Sequence, residues 1–187
     1  MYSTNQFRRG LKIELDGEPY NITYFQHVKP GKGNAFVRTK LKSMISGNVI
    51  ERTFKSGEKV GKPDLEQNKV QYLYKDGESY NFMDLQTYEQ FGVQSEQLGN
   101  ATLFLKENID VELLFYNGSA IGIELPMFIE FEITQTDPGV RGDTVSGSTK
   151  PASIETGAVI QVPLFIEEGE NIRIDTRDGS YVERVKN

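Results

Sequence analysis

The sequence predicts an all-β chain folded into three small β-barrel domains. Asp-Gly turns recur, each leading into a tyrosine, at Leu15-Asp16-Gly17-Glu18-Pro19-Tyr20, Tyr74-Lys75-Asp76-Gly77-Glu78-Ser79-Tyr80 and Thr176-Arg177-Asp178-Gly179-Ser180-Tyr181. Asp-Gly supplies the positive φ angles of a tight hairpin turn. Short β-rich runs flank these turns at near-regular spacing, the mark of small barrels. Two breaks, at Lys59-Val60-Gly61-Lys62-Pro63-Asp64 and Glu124-Leu125-Pro126-Met127, then cut the 187 residues into three pieces: 1–63, 64–127 and 128–187. Length alone suggests one or two domains. The turn pattern raises that to three, each near the lower size limit for a barrel.

The elements follow in order along the chain. Leu11–Leu15 alternates as a half-buried strand and ends at Asp16-Gly17. Beyond Asn34, a second alternating strand runs through Lys42. Val70–Tyr74 is the next strand. Asp84–Leu98 reads as the one helix, with Asp84 as N-cap and Gly92 limiting its length. Val111–Tyr116 precedes the hairpin signal Asn117-Gly118. Phe128–Thr134, Ala158–Ile166 and Ile172–Asp175 complete the strands.

Composition narrows the chemistry. There are no cysteines and one histidine, which removes disulfides, thiolate metal sites and cysteine nucleophiles. His27 lies in a β-rich run with no partner in view, so a structural role suits it better than catalysis. The acidic trio Glu167, Glu168 and Glu170 reads as solvated turn charge rather than a metal site. No apolar run approaches the roughly 20 residues of a membrane helix. The start lacks a basic segment followed by an apolar one, so no signal peptide is expected and the predicted location is cytoplasmic.

The net charge of -6 speaks against a nucleic-acid binder only when averaged. Residues 1–63 hold 12 Lys and Arg against 5 Asp and Glu, a net of +7. Residues 64–127 hold 3 against 11 and residues 128–187 hold 6 against 11, nets of -8 and -5. Either the basic third faces a polyanion, or it docks on the acidic thirds.

Val28 to Lys42 is the most informative stretch. Ala35, Val37, Thr39 and Leu41 share one face of the strand; Phe36, Arg38, Lys40 and Lys42 share the other. The cations recur at roughly 6.5–7 Å, similar to phosphate spacing in a nucleic-acid strand. Lys29 adds to the patch. Pro30, Gly31 and Gly33 form a turn tip from which Lys32 projects without lateral packing. Lys32 is then either one more solvated loop lysine, or a residue for insertion into a crevice or for modification at its amine.

The joint order of several motifs resembles the bacterial translation elongation factor P family. They begin with Lys29-Pro30-Gly31-Lys32-Gly33, Ala35-Phe36 and Arg38-x-Lys40. Next come Tyr72-Leu73-Tyr74, Asp76-Gly77, Phe82-Met83-Asp84 and Tyr88-Glu89-Gln90. Then follow Thr136-Asp137-Pro138-Gly139 and Gly142-Asp143-Thr144. Lys150-x-Ala152, Gly157-Ala158, Val162-Pro163-Leu164-Phe165 and Gly169-Glu170 complete the set. The resemblance runs from Phe7 to Lys186. It implies an SH3-like, KOW-type N-terminal barrel followed by two OB-type barrels, in an L-shaped, tRNA-like arrangement.

The resemblance also implies a monomeric translation factor, not an enzyme. Such a factor binds the 70S ribosome between the P and E sites, stabilises P-site peptidyl-tRNA and stimulates peptide-bond formation at consecutive prolines. Lys29, Arg38, Lys40 and Lys42 would meet phosphates of rRNA and of the tRNA acceptor arm. Lys32 would be covalently modified by a lysine-modifying enzyme. A lysine at the tip disfavours the arginine-rhamnosylating branch, and the nearby sequence looks most like the β-lysylated branch; an aminopentanol-type group stays open. No cofactor, metal or membrane is implied. Gly142, Asp143 and Thr144 would contact the small subunit near the exit-site codon, where the bland alternative is an ordinary surface loop. Tyr181 and Arg184 fit the family's terminal Tyr-x-x-Arg pattern, although Tyr181 reads equally as a hairpin packing residue. Two other readings stand beside this one: a paralogue with different stalling substrates, and a generic single-stranded nucleic-acid module built on the OB barrels.

Overall fold

The computed structural model describes residues 1–139 and 148–186. The all-β expectation holds: among the described residues sixteen strands are joined by short turns, one single-turn α-helix and two 3-10 segments. The chain gathers into two compact units, Met1–Gln67 with Leu114–Gly122, and Asn68–Leu113 with Ile123–Asn187. Residues of the middle third therefore contribute to both.

In the first unit β1 (Tyr2–Ser3) pairs with β6 (Lys59–Val60). A second sheet has the order β2 (Lys12–Leu15), β3 (Glu18–Val28), β4 (Phe36–Ser43), β5 (Val49–Lys55). Phe7, Leu11, Ile13, Ile22, Val37, Leu41, Phe54 and Val60 fill the core, with Phe7 edge-on to Phe54 at 5.4 Å. The Asp16-Gly17 turn joins paired Leu15 and Glu18 with φ of 51° and 77°, the two positive values that the Asp-Gly signal anticipates.

The hairpin β10 (Asp110–Tyr116) and β11 (Ser119–Glu124) places Tyr116 in this unit. Its hydroxyl donates to Glu14 Oε2 at 2.7 Å, and the Gly17 carbonyl lies 3.1 Å away. This bond to Glu14, helped by burial, holds the phenol above its ordinary value of 10.0.

The middle sheet also contains β7 (Leu65–Asp76), β8 (Ser79–Asp84) and β9 (Gln90–Gln94), in the order β11-β10-β7-β8-β9. The expected helix over Asp84–Leu98 is wrong for most of its length. Asp84 Oδ1 accepts from the amides of Gln86 (2.7 Å) and Thr87 (3.0 Å), so the carboxylate closes a turn instead of starting a helix. Tyr88 ends that turn at φ 61°. Phe91 and Val93 then alternate with polar residues, a period of two, and the segment pairs with β8 from Met83–Gln90 to Ser79–Gln94. Gly92 belongs to this ladder, and a Cβ there would come within 2.5 Å of Ser79 Oγ. Only Ser95–Leu98, helix α1, is helical, followed by a 3-10 turn over Gly99–Phe104.

The last sheet is ordered β14 (Val159–Pro163), β13 (Thr149–Ile154), β12 (Phe128–Thr136), β15 (Asn171–Asp175), β16 (Ser180–Val185). Its core, which includes Phe131, Ile133, Ile154, Val162, Ile166, Ile172 and Ile174, also takes in Phe104 from the 3-10 turn. The expected strand Ala158–Ile166 stops at Pro163, because Leu164–Ile166 turn to send Ile166 into this core. Gly179, at φ 75°, lies against the Phe104 ring, where an added Cβ would sit 2.8 Å from Cζ.

Two stability effects follow. Gly179→Ala combines a positive φ with a collision against a core ring, so urea unfolding should show a loss of more than about 1 kcal/mol. Tyr116→Phe removes a hydroxyl bonded to a carboxylate and should lower stability at neutral pH by about 1.5–3 kcal/mol. The phenol's pKa is raised on folding, so this contribution is fully present below pH 10.0 and is lost as pH rises through the higher folded value. Wild type and variant should therefore converge in strong alkali.

Candidate nucleic-acid interface

The β3–β4 ladder is irregular at one point. Ile22 pairs with Leu41, but Tyr24 pairs with Lys40, so Thr23 forms a bulge. Beyond it the register carries Tyr24–Lys40, Gln26–Arg38 and Val28–Phe36 as neighbours on one face. Val37, Thr39 and Leu41 are buried, whereas Arg38, Lys40 and Lys42 are exposed. The alternation thus sorts the strand as its pattern anticipates: apolar residues and one threonine go inward, and Thr39 is satisfied by donating to the Arg52 carbonyl at 2.8 Å.

The cations on this face rest on aromatic rings. The Arg38 guanidinium lies 5.4 Å from the centre of Phe36, and Lys40 Nζ lies 5.8 Å from that of Tyr24. Stacking of this kind restrains long side chains without neutralising them. Among the described residues, Lys29, Lys32, Arg38, Lys40 and Lys42 form no ion pair. Tyr24 was not anticipated, because only the cross-strand register brings it beneath Lys40.

Residues 29–35 connect the strands. Pro30 is half-buried, and Gly31, Lys32 and Gly33 are exposed. Gly33 has φ 104°, a conformation that side chains avoid, while a Cβ at Gly31 would meet nothing within 4 Å. Lys32 therefore stands at the end of a hairpin with open space beside it. His27 is exposed, its ring edge-on to Phe25 at 5.9 Å.

The remaining candidates lie elsewhere. Gly142, Asp143 and Thr144 fall outside the described residues. Tyr181, in the second unit, is half-buried against the core of the last sheet, and that burial raises its phenol pKa. Arg184 is exposed, bonds Glu170 Oε1 at 3.1 Å and lies over the Phe165 ring at 5.4 Å. The structure groups Lys29 to Lys42 on one hairpin and puts Tyr181 and Arg184 on a different sheet. Glu170 is engaged by Arg184 and by the Glu167 amide, and no cluster of metal-ligating side chains occurs among the described residues.

Three family models match the chain in series. They are the elongation factor P KOW-like domain over residues 3–60, the elongation factor P OB domain over 65–123, and the elongation factor P C-terminal domain over 123–184. The elongation factor P of Maridesulfovibrio salexigens is 58% identical over 186 residues, covering 100% of both chains. Those of Moorella thermoacetica and Pelotomaculum thermopropionicum are 57% and 55% identical over 185 residues, covering 99% of this chain and 100% of theirs. Among solved structures, eukaryotic translation initiation factor 5A from Methanococcus jannaschii aligns with a TM-score of 0.53 and 27% identity, over 64% of this chain and 90% of that one. The sheets described above are thus a KOW-like domain followed by two OB-type domains, and the chain belongs to the elongation factor P family.

Proposed function

We propose that the β3–β4 hairpin is the working end of this translation factor and that Lys32 is the residue it delivers. Family membership makes the chain a translation elongation factor rather than an enzyme, with the ribosome and tRNA as partners and the cytoplasm as its place of work. The observation that carries the finer reading is the stacked row of cations, which forms no ion pair among the described residues and leads to an exposed lysine between two glycines. Phosphate contacts of Lys29, Arg38, Lys40 and Lys42 position the protein without reading sequence. The acidic remainder of the chain disfavours indiscriminate binding to RNA. Functional domains bounded at Pro63 and Met127 fit this division of charge.

The site proposed for the bound factor is between the P and E sites, with Lys32 beside the CCA end of peptidyl-tRNA. Proline is a poor partner in peptide-bond formation because its ring fixes φ and its nitrogen is secondary. Holding the CCA end in a reactive pose lowers the orientational part of the barrier. A contribution of about 1.4–4 kcal/mol gives a factor of roughly 10–10³ in rate. The ribosome performs the acyl transfer, and Lys32 needs no proton to move.

β-Lysylation of Lys32 by a modifying enzyme suits this role. It replaces one ammonium by an amide and two ammonium groups, lengthening the arm and adding donors. The factor acts as a monomer. Gly142, Asp143 and Thr144, together with Tyr181 and Arg184, are proposed to meet the small subunit and tRNA. A generic single-stranded nucleic-acid module gains little support. Tyr72, Tyr80 and Phe82 of the middle sheet are buried against one another, and burial pushes the Tyr72 phenol up to about 12.

Lys32→Ala should fold with stability within about 0.5 kcal/mol of wild type, as an exposed loop substitution does. It should fail to relieve stalling on a polyproline reporter, and full rescue by this variant would sink the tip-lysine mechanism. Intact mass of protein from its own host, with fragmentation around Lys32, should show one added β-lysyl group. An unmodified lysine there would end the modification claim while leaving ribosome binding standing.

A further inference from the structure

Cations on this sheet run across the strands as well as along them. Register sets Lys12 of β2 opposite Asn21 of β3, and Asn21 opposite Lys42 of β4. Cross-strand partners share a face, and adjacent strands lie about 4.8 Å apart. The two lysine backbones are therefore about 10 Å apart, close enough for their long side chains to reach a single group between them.

Lys12 is held in place. Its Nζ donates to the Gly10 carbonyl at 2.9 Å and to Asn21 Oδ1 at 3.2 Å. An ammonium has three donors, so one stays uncommitted. Among the described residues neither Lys12 nor Lys42 forms an ion pair. Between them opens a hollow of about 490 Å³, walled also by Asn21, Ser43, Ser46 and Gly47, with no carboxylate in its lining. Lys42 is thus a corner: the row Arg38, Lys40, Lys42 runs down β4 to it, and the pair Lys12–Lys42 leaves it at right angles.

We propose that Lys12 and Lys42 form a phosphate subsite that turns the β4 cation row across the sheet, and that it takes the sugar–phosphate backbone of an RNA strand. The inference rests on the RNA-facing reading of β4 and adds Lys12 to it. Two cations about one inter-phosphate distance or more apart, without a competing carboxylate, favour a continuous polyanion over an acidic peptide. No sequence pattern reveals Lys12, because its partner stands thirty residues away and two strands over.

The test is binding of the full-length protein to 70S ribosomes carrying P-site tRNA across a salt series. Lys12→Gln should reduce the magnitude of the log K against log salt slope by about one unit, and Lys12→Arg should keep it. Arg38→Gln serves as the comparison on the row itself. An unchanged slope for Lys12→Gln beside a reduced one for Arg38→Gln would overturn the subsite alone. Unchanged slopes for both would overturn the RNA-facing reading as well. Footprinting of the wild-type protein with an amine-reactive reagent avoids any folding defect in the variants. Lys12 should be protected on the ribosome, and an unprotected Lys12, or a crosslink from it to a ribosomal protein instead of rRNA, would overturn the proposal.

Discussion

The ladder between β3 and β4, running from Tyr20–Ser43 to Val28–Phe36, is the constraint on which the proposed binding hairpin depends. A shift of one residue would send Arg38, Lys40 and Lys42 into the core and expose Val37, Thr39 and Leu41. Burial of Val37 and Leu41 at 0% exposure makes that slip prohibitive, since each apolar side chain contributes about 1.5–3 kcal/mol. The same register lays Lys40 over Tyr24 and sets Arg38 beside Gln26. Hydrophobic packing inside the barrel therefore fixes the charge pattern outside it, and Arg38, Lys40 and Lys42 are arranged with no ion pair among the described residues.

That arrangement suits a reversible partner. Exposed cations stacked on rings lose little hydration in the free protein, and in the proposed complex they would release counterions from RNA. A row neutralised in advance by carboxylates would have to break those pairs first. Arg52, on the neighbouring strand β5, shows the contrast: it lies 3.7 Å from Asp16 and is already partly compensated.

Much of this was legible in the residues. The alternation from Ala35 to Lys42 sorted inward from outward positions, and the Pro-Gly-Lys-Gly tip marked where the strands turn. Asp16-Gly17 announced its hairpin by composition alone. Asp84 misled because a capping aspartate closes an isolated turn as readily as it starts a helix; the period of two in Phe91 and Val93 was the competing signal. Contacts that depend on distant register carried no local mark. Tyr24 beneath Lys40, Lys12 abreast of Lys42 and Tyr116 on Glu14 all arise from pairing between segments that the sequence keeps apart. Ile166 was read as part of a strand, and only tertiary packing turned it inward.

The bond from Tyr116 to Glu14 spans 102 residues. Closing a flexible loop of that length costs about 4 kcal/mol in chain entropy, beyond what one charge-assisted hydrogen bond returns. The bond therefore forms late, after the intervening strands have folded and shortened the path. On a ribosome making this chain, the four-stranded sheet is complete once Lys55 has emerged, yet Glu14 waits for Tyr116. The N-terminal barrel spends roughly a third of the chain's synthesis without its last fastening, and the growing polypeptide itself sets the order of assembly.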